Sequence, residues 1–263
     1  MRKIFLFSVL LTVCMILSGC LMVRIESIET PATEIPTATE VPTFTPIPTN
    51  TIVWFPPTAT PRPLNTPTPY PTVNQLPRLG GTLLSDNFSS EQKWQTFRSD
   101  LGNAVISNNE LTLSLQKAAS SIASYSTHPQ MGNYYLSLNV SLSLCTDPAD
   151  WYGIAFRAND SANTYRWLFN CQGETRVDRL YKGRAYLIHD WDINGQIKPS
   201  APQKFRIGIA AKGSQLGFYV NDVLLKTAED TIFSTGGYGL LASSQGSGLL
   251  TVSFSDFKLN AIR

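Results

Sequence analysis

The residue types that most often carry catalysis and metal binding are scarce in this chain of 263 residues, which has only 2 histidines and 4 cysteines. So small a supply leaves little material for a zinc site or a histidine-based catalytic triad. Charge is also sparse, because charged residues make up 15% of the chain and the formal net charge is +2. Nucleic acid and anionic lipid surfaces both require a dense basic surface, so neither is expected as the main partner.

The first twenty residues have the features of an export signal. Arg2 and Lys3 precede an apolar run, residues 4–17, that is too short for a comfortable membrane span. The run ends in Leu17-Ser18-Gly19-Cys20. This quartet resembles the lipobox of bacterial lipoproteins, which implies cleavage before Cys20, diacylglyceryl modification of its thiol, and export with anchoring to a membrane through that lipid alone. The alternative is an uncleaved anchor helix that continues to Met22 or Val23.

Residues 21–80 differ sharply in composition from the rest of the chain, since they hold 13 of the 17 prolines together with 13 threonines. Proline removes a backbone donor and fixes φ, so such a segment forms neither a helix nor a central strand. The composition is typical of an extended, disordered linker, which rises by roughly 3.1 Å per residue. We expect this linker to hold a domain away from the membrane, on its extracellular or periplasmic side.

Residues 81–263 show no convincing helical periodicity, and short alternating runs are separated there by turn residues. Two pairs of runs meet across Asn108-Asn109 and Asn221-Asp222, residue types that tolerate the positive φ of a two-residue hairpin turn. Four further runs between residues 152 and 189 predict a four-stranded antiparallel meander. With about a dozen strands in all, the predicted fold class is all-β, a sandwich of two packed antiparallel sheets.

Cys145 and Cys171 are the two cysteines of this region. The meander places both at one end of the same sheet, two strands apart, at a separation of about 9 to 10 Å. That separation exceeds the usual reach of a disulfide, so the loop 146–150 must let the strand ends lean together. In an oxidising compartment we expect the two thiols to form a disulfide.

Five segments of residues 81–263 add up to a recognisable pattern. They are LLSDNF at 83–88 followed by Trp94, YGIAFR at 152–157, NTYRW at 163–167, FYVND at 218–222 and VSFSDF at 252–257. Together they resemble the concanavalin A-like lectin/glucanase jelly roll, in the branch with keto-disaccharide hydrolase-like and laminin G-like domains. The resemblance implies a jelly-roll sandwich. It also implies a glycan or cell-envelope polysaccharide as the partner, because carbohydrate binding dominates that superfamily and glycosidases are a large minority.

Strand parity selects a candidate ligand site. If Tyr152, Ile154 and Phe156 face the core, Arg157 lies on the other face of its strand. The same argument places Arg166 of the neighbouring strand near Arg157, with Asp178 of the next strand as their acidic partner. The stacking surface that a sugar requires is expected from Tyr186 and Trp191. The alternative is a surface salt-bridge ladder without a ligand.

Paired acids are lacking from the predicted strands, which contain no Glu-x-Asp-x-Glu or comparable run, so retaining glycoside hydrolysis is not expected. Asp190 and Asp192 lie next to His189, and we interpret them as part of an exposed loop before Pro199. The alternative is a polar cluster at the rim of a groove. Asp86 and Asp256 belong to the first and last strands, where related domains bind a structural calcium, and two carboxylates with backbone carbonyls would suffice to hold the ion. Turn capping is the alternative role of these two acids.

The sequence therefore predicts a lipid-anchored, monomeric protein whose linker displays one carbohydrate-binding β-sandwich, with no cofactor firmly indicated beyond possible calcium. A glycosidase of the same fold is one alternative, and it requires a cleft with paired acids about 5 to 10 Å apart. A non-catalytic envelope module that binds proteins is another alternative, and it requires a flat or apolar exposed face.

Overall fold

The structure, a computed structural model, describes residues 76–246 and 248–263. The predicted export signal, the lipidation site at Cys20 and residues 21–75 of the predicted linker lie outside the described residues. Within the described ranges no helix is long and apolar enough to cross a membrane. The regular structure there consists of β-strands and one 3-10 turn, Glu91–Lys93.

Fifteen strands follow one another along the described chain. They are β1 (Leu79–Asp86), β2 (Phe97–Arg98), β3 (Gly102–Ser107), β4 (Glu110–Leu115), β5 (Ser120–Tyr125), β6 (Tyr134–Cys145), β7 (Trp151–Asp160), β8 (Asn163–Asn170), β9 (Glu174–Tyr181), β10 (Arg184–Ile193), β11 (Gln203–Lys212), β12 (Gln215–Val220), β13 (Val223–Glu229), β14 (Gly237–Ser244) and β15 (Leu250–Ile262). The larger sheet has the order β13-β12-β11-β6-β15-β4-β3-β2, with β1 also paired to β15. The smaller sheet has the order β10-β9-β8-β7-β14-β5.

The turns that the sequence indicates are present. Asn108 and Asn109 have φ values of 51° and 62° between β3 and β4, and Asn221 and Asp222 have 48° and 65° between β12 and β13. The meander β7-β8-β9-β10 forms two thirds of the smaller sheet, and its neighbouring strands all pair antiparallel. The prediction of an all-β, two-sheet sandwich is therefore confirmed.

The core lies between the inner faces of the two sheets. Tyr152, Phe156 and Trp167 of the smaller sheet are completely buried. The Trp167 ring meets Phe218 of the larger sheet with centroids 5.2 Å apart, and Phe156 meets the same ring at 6.0 Å. These edge-on aromatic contacts contribute stabilisation beyond the burial of the rings themselves. They also fix which face of each strand points inward.

A disulfide joins the two sheets. Cys145 ends β6 in the larger sheet, Cys171 directly follows β8 in the smaller sheet, and their Cα atoms are 5.9 Å apart. The predicted disulfide is therefore confirmed. The prediction that both cysteines end strands of one sheet was wrong, because β6 pairs with β11 and β15 and not with β7. The 5.9 Å separation is therefore one between strands of two different sheets.

Removal of this disulfide should destabilise the fold. The two cysteines are 26 residues apart in sequence, and in the chain-entropy model a closed loop of that size contributes about 3.5 kcal/mol to the free energy of unfolding. We expect the Cys145→Ser/Cys171→Ser variant to unfold at a correspondingly lower urea concentration than the oxidised protein. The oxidised protein treated with a reductant is the control and should behave like the variant. An unchanged midpoint would contradict the prediction.

Candidate binding site

The outer face of the smaller sheet carries a groove. Side chains alternate across a strand, so the residues next to the buried aromatics point away from the core. Ala155, Leu168 and Leu241 form a small buried apolar floor on this face, and the half-buried rings of Trp151 and Trp191 pack against it. The hollow above has a volume of about 490 Å³. We call it the groove; it is lined by Pro148, Ala149, Trp151, Arg166, Leu168, Asn170, Gln172, Arg176, Asp178, Trp191 and Gln245.

A charged pair lies at one side of the groove. Arg166 Nε donates to Asp178 Oδ1 at 2.7 Å, and Arg166 Nη2 donates to Asp178 Oδ2 at 2.8 Å. The register of β8 and β9 places these two residues directly opposite each other. Arg176 adds a second cation, with its Nε 3.3 Å from Asp178 Oδ2. The Asp178 side chain is only 1% exposed, so this carboxylate holds the two guanidinium groups in place.

An aromatic wall supports the pair. The Arg166 guanidinium carbon lies 5.7 Å from the ring centroid of Trp151, a cation–π contact that orients the arginine. The structure thus brings Arg166, Asp178 and Trp191 into one groove, as the sequence analysis expected, and adds Trp151 and Arg176. Trp151 was missed although a signal was available, because it alternates with the predicted core residue Tyr152 on the same strand.

The rim of the groove depends on Asp150, which the sequence analysis also missed. Its side chain is completely buried. Asp150 Oδ1 accepts from the backbone N–H of Gln245 at 2.7 Å, and the Asp150 carbonyl accepts from the N–H of Cys171 at 3.2 Å. Asp150 therefore links the β14–β15 loop, which carries Gln245, to the disulfide end of β8. No pattern in the sequence pairs residues this far apart.

Arg157 does not line the groove, so its predicted position next to Arg166 was wrong. The side chain is completely buried and the residue has a φ of 46°. Phe156 pairs with Tyr238 and Ala158 pairs with Gly237, so Arg157 is an extra residue on β7. Such a bulge interrupts the alternation of side chains between the two faces. Side chains of β7 therefore alternate between the two faces as expected up to Phe156, and the alternation fails at Arg157.

The buried guanidinium of Arg157 binds backbone carbonyls of three connecting segments. Nε and Nη2 donate to the Gly132 oxygen at 3.1 and 2.7 Å, and Nη1 donates to the oxygens of Gly213 and Phe233 at 2.8 and 3.0 Å. These carbonyls belong to the β5–β6, β11–β12 and β13–β14 connections. Arg157 therefore joins loops of both sheets and is a structural residue in this fold.

Tyr186 lies on the other face of the smaller sheet, so its predicted place in the site was also wrong. It pairs with Arg179, one position beyond Asp178, and the Arg179 guanidinium carbon lies 5.2 Å from the Tyr186 ring centroid. Arg179 in turn forms an ion pair with Asp230, which follows β13 of the larger sheet. Because Arg179 is one position beyond Asp178 on β9, Arg179 and Tyr186 lie on the face opposite the groove.

The carboxylates of Asp86 and Asp256 are occupied by protein donors. Asp86 accepts from the indole Nε1 of Trp94 at 3.0 Å and lies 2.6 Å from His128 Nε2. Asp256 accepts from Asn139 Nδ2 at 2.9 Å. Within residues 76–246 and 248–263, no group of three His, Cys, Asp or Glu residues could hold a metal ion. Through these contacts Asp86 links the first strand to buried ring systems, and a calcium ion held by Asp86, Asp256 and backbone carbonyls stays a prediction.

Asp190 and Asp192 belong to the edge strand β10, and the interpretation of an exposed loop was wrong for them. The Asp190 side chain is 69% exposed and its Oδ1 lies 4.0 Å from Arg176 Nη1. Asp192 accepts from Thr175 Oγ1 at 3.1 Å and forms an ion pair with Lys226 of the larger sheet. The two acids therefore have different partners.

A second hollow, of about 680 Å³, lies on the same outer face near the start of β14. Tyr125 is on its wall, and burial raises the pKa of this phenol above its ordinary value. Asp160 lies on the same wall, and hydrogen bonds from the Asn163 side chain and the Ala162 N–H lower the pKa of its carboxyl. This hollow therefore presents a neutral phenol and an ionised carboxylate at neutral pH.

No family model matches the chain, and no curated protein matches it either. Several solved structures are similar to it in fold. A protein of unknown function with a galectin-like fold from Bacillus subtilis has a TM-score of 0.55 at 11% identity, over 72% of this chain and 100% of that chain. A structure reported with the endo-acting O-glycanases that prominent human gut bacteria express to initiate mucin breakdown has a TM-score of 0.52 at 10% identity, over 70% and 100%. At such identities the similarity shows the fold, a jelly-roll sandwich.

A carbohydrate-binding module from Bacillus subtilis, CBM66, is 16% identical over 64% of this chain and 96% of that chain, with a TM-score of 0.49.

Replacement of Arg157 tests its structural assignment. The Arg157→Met variant keeps most of the side-chain volume but leaves the Gly132, Gly213 and Phe233 carbonyls without their donor. Buried polar groups without partners are costly, so we expect the free energy of unfolding in urea to fall by about 3 kcal/mol. Arg98→Met, at an exposed position of β2 in the larger sheet, is the matched control and should stay within about 0.5 kcal/mol of the parent protein. Equal midpoints for the two variants would refute the assignment.

Proposed function

We propose that this protein is an exported, surface-anchored carbohydrate-binding protein and that the groove is its binding site. The observation that carries the proposal is the placement of Trp151 and Trp191 over an apolar floor beside the Arg166–Asp178 pair. A sugar ring has an apolar face that stacks on an aromatic ring and a rim of hydroxyls that needs planar hydrogen-bonding groups. The groove provides both on one face of one sheet.

The polar groups around the groove support this proposal. Arg166 is held by two hydrogen bonds to Asp178 and by its contact with Trp151, so little rotamer freedom is lost when it binds a hydroxyl. The amides of Gln172 and Gln245 lie on the lining as further donors and acceptors. The fold is also that of a structure reported with endo-acting O-glycanases, which are proteins that act on glycans. That shared scaffold is compatible with a glycan ligand.

The acidic residues of the groove favour binding of a glycan without its hydrolysis. Retaining glycosidases use two carboxyl groups about 5 to 5.5 Å apart, one of them free to attack the sugar. Among the described residues that line the groove, Asp178 is the one carboxylate, and both of its oxygens contact arginines. A carboxylate held in this way positions arginines and is poorly placed to act as a nucleophile or an acid.

The proposals of export and of a lipid anchor are based on the amino-acid sequence. We propose that Cys20 carries the lipid and that the linker up to the start of β1 at Leu79 extends the sandwich away from the membrane, so that the groove faces the extracellular or periplasmic space. In that position the protein meets envelope or environmental polysaccharides. The disulfide between Cys145 and Cys171 supports an oxidising compartment.

Loss of either groove tryptophan should weaken glycan binding. Full-length protein in mild detergent is first screened on a glycan array, and the affinity for the best glycan is then measured by calorimetry. We expect Trp151→Ala and Trp191→Ala each to weaken that affinity at least tenfold, because each removes an aromatic stacking surface worth about 1.4 kcal/mol or more.

Tyr186→Ala is the matched control for both variants, because it removes a partly exposed ring from the opposite face of β10. It should bind like the parent protein. Selective binding that survives both tryptophan substitutions would place the site elsewhere. A folded protein that binds no glycan on the array would overturn the proposed function and favour a protein-interaction module.

The proposed anchor has its own test. The parent protein should incorporate labelled fatty acid in cells and enter the detergent phase in a Triton X-114 partition, because a covalently attached lipid adds about 0.8 kcal/mol of membrane affinity for each buried methylene. Cys20→Ser should lose the label. Cys14→Ser changes a cysteine inside the apolar run 4–17 and should keep it. Labelling of the Cys20→Ser variant would contradict the anchor.

A further inference from the structure

We infer that the groove selects glycans that carry carboxylate groups, those of hexuronic acid residues, over the corresponding neutral glycans. The inference rests on the proposed function, because it names the class of sugar that the same groove takes. It depends on two features of the described residues: an unbalanced positive charge, and guanidinium nitrogens that have no protein acceptor.

The charge imbalance follows from the lining itself. The groove contains two arginines, Arg166 and Arg176, and one carboxylate, Asp178. Asp178 is almost completely buried, with Arg166 nitrogens at 2.7 and 2.8 Å and Arg176 Nε at 3.3 Å. Among the lining residues, one carboxylate is therefore shared by two guanidinium groups, which leaves an excess of one positive charge in the lining.

Apart from Asp178, Asp190 is the one acid of the described residues that forms an ion pair with either arginine. Neither Glu174 nor Asp150 lines the groove. Glu174 accepts from Asn170 Nδ2 at 2.7 Å, and the buried Asp150 accepts from the Gln245 N–H at 2.7 Å. Asp192 forms its ion pair with Lys226 of the larger sheet. Asp190 approaches Arg176 only to 4.0 Å, and its side chain is 69% exposed. An exposed pair at that distance contributes little in water.

The unbalanced charge is carried on free donors. Arg166 uses Nε and Nη2 for Asp178, and no acceptor for its Nη1 occurs among the described residues. Arg176 makes no hydrogen bond within those residues through Nη1 or Nη2, while its side chain is 28% exposed toward the groove. A guanidinium edge with two adjacent N–H groups matches the two oxygens of a carboxylate, and such bidentate bonds are about twice as strong as neutral ones.

The position of these donors specifies a sugar acid. The arginines line the same hollow as Trp151 and Trp191, within a volume of about 490 Å³. A hexuronic acid residue presents a ring to stack on an aromatic side chain and, at the edge of that ring, a planar carboxylate for the guanidinium edge. A neutral hexose has a hydroxymethyl group at that position, which leaves the positive charge of the groove without a counter-charge.

The test compares each acidic polymer with its own neutral form. Full-length protein in mild detergent is titrated with oligosaccharides of polygalacturonate, alginate and hyaluronan, and with the same oligosaccharides after chemical reduction of their carboxyl groups. We expect at least one acidic form to bind about tenfold or more tightly than its reduced form. The preference should shrink between about 50 and 500 mM NaCl, because salt screens the charge interaction.

Arg176→Gln should abolish the preference for the acidic form over its reduced form, because the substitution removes the free charge and leaves the tryptophans in place. Arg206→Gln makes the same charge change on the larger sheet and should retain the preference. This pair of variants separates a local contact from the net charge of the protein.

The outcomes distinguish this inference from the proposed function. Equal or tighter binding of the reduced forms, or an unchanged preference in Arg176→Gln, would overturn the inference and leave a carbohydrate-binding protein. Binding of a sulfated polymer such as carrageenan without binding of any carboxylated one would also overturn it. A folded protein that binds neither acidic nor neutral glycans on the array would overturn both proposals.

Discussion

Burial of the aromatic residues of the smaller sheet against the larger sheet is the constraint on which the rest of the structure depends. Trp167 meets Phe218 across the sandwich with ring centroids 5.2 Å apart. Because side chains alternate along a strand, fixing Trp167 inward fixes Arg166 and Leu168 outward. The same argument turns Trp151 outward from buried Tyr152. The composition of the groove is thus a direct consequence of the packing of the core behind it.

Two further contacts hold that face in shape, and both involve buried polar groups. Arg157 donates to carbonyls of three connections, and Asp150 accepts from the Gln245 backbone at the groove rim. Gly236 permits the first contact, because a Cβ there would lie 2.2 Å from the Arg157 carbonyl carbon. The disulfide at Cys171 fixes the same end of the groove as Asp150. The binding surface therefore depends on residues that no ligand touches.

Local patterns predicted much of this molecule. Alternation and turn residues located the strands and the hairpins, and the adjacency of β8 and β9 was enough to place Arg166 opposite Asp178. Parity could also have identified Trp151. It failed for Arg157 because one extra residue on β7 reverses the alternation, and for Tyr186 because its position on β10 depends on pairing with Arg179. The local sequence around Arg157 and Tyr186 indicates neither the extra residue on β7 nor the register between β9 and β10.

The sequence by itself determined the strand content, the two-residue turns, the meander and the disulfide, because alternation, turn preference and the chemistry of paired thiols act locally or by composition. Only the tertiary structure decided that the disulfide crosses between sheets, that Arg157 is buried and that Asp86 binds His128, 42 residues away. These contacts depend on how two sheets stack and where one strand bulges. Both are set by packing between residues that are distant in the chain, and strand periodicity does not encode that packing.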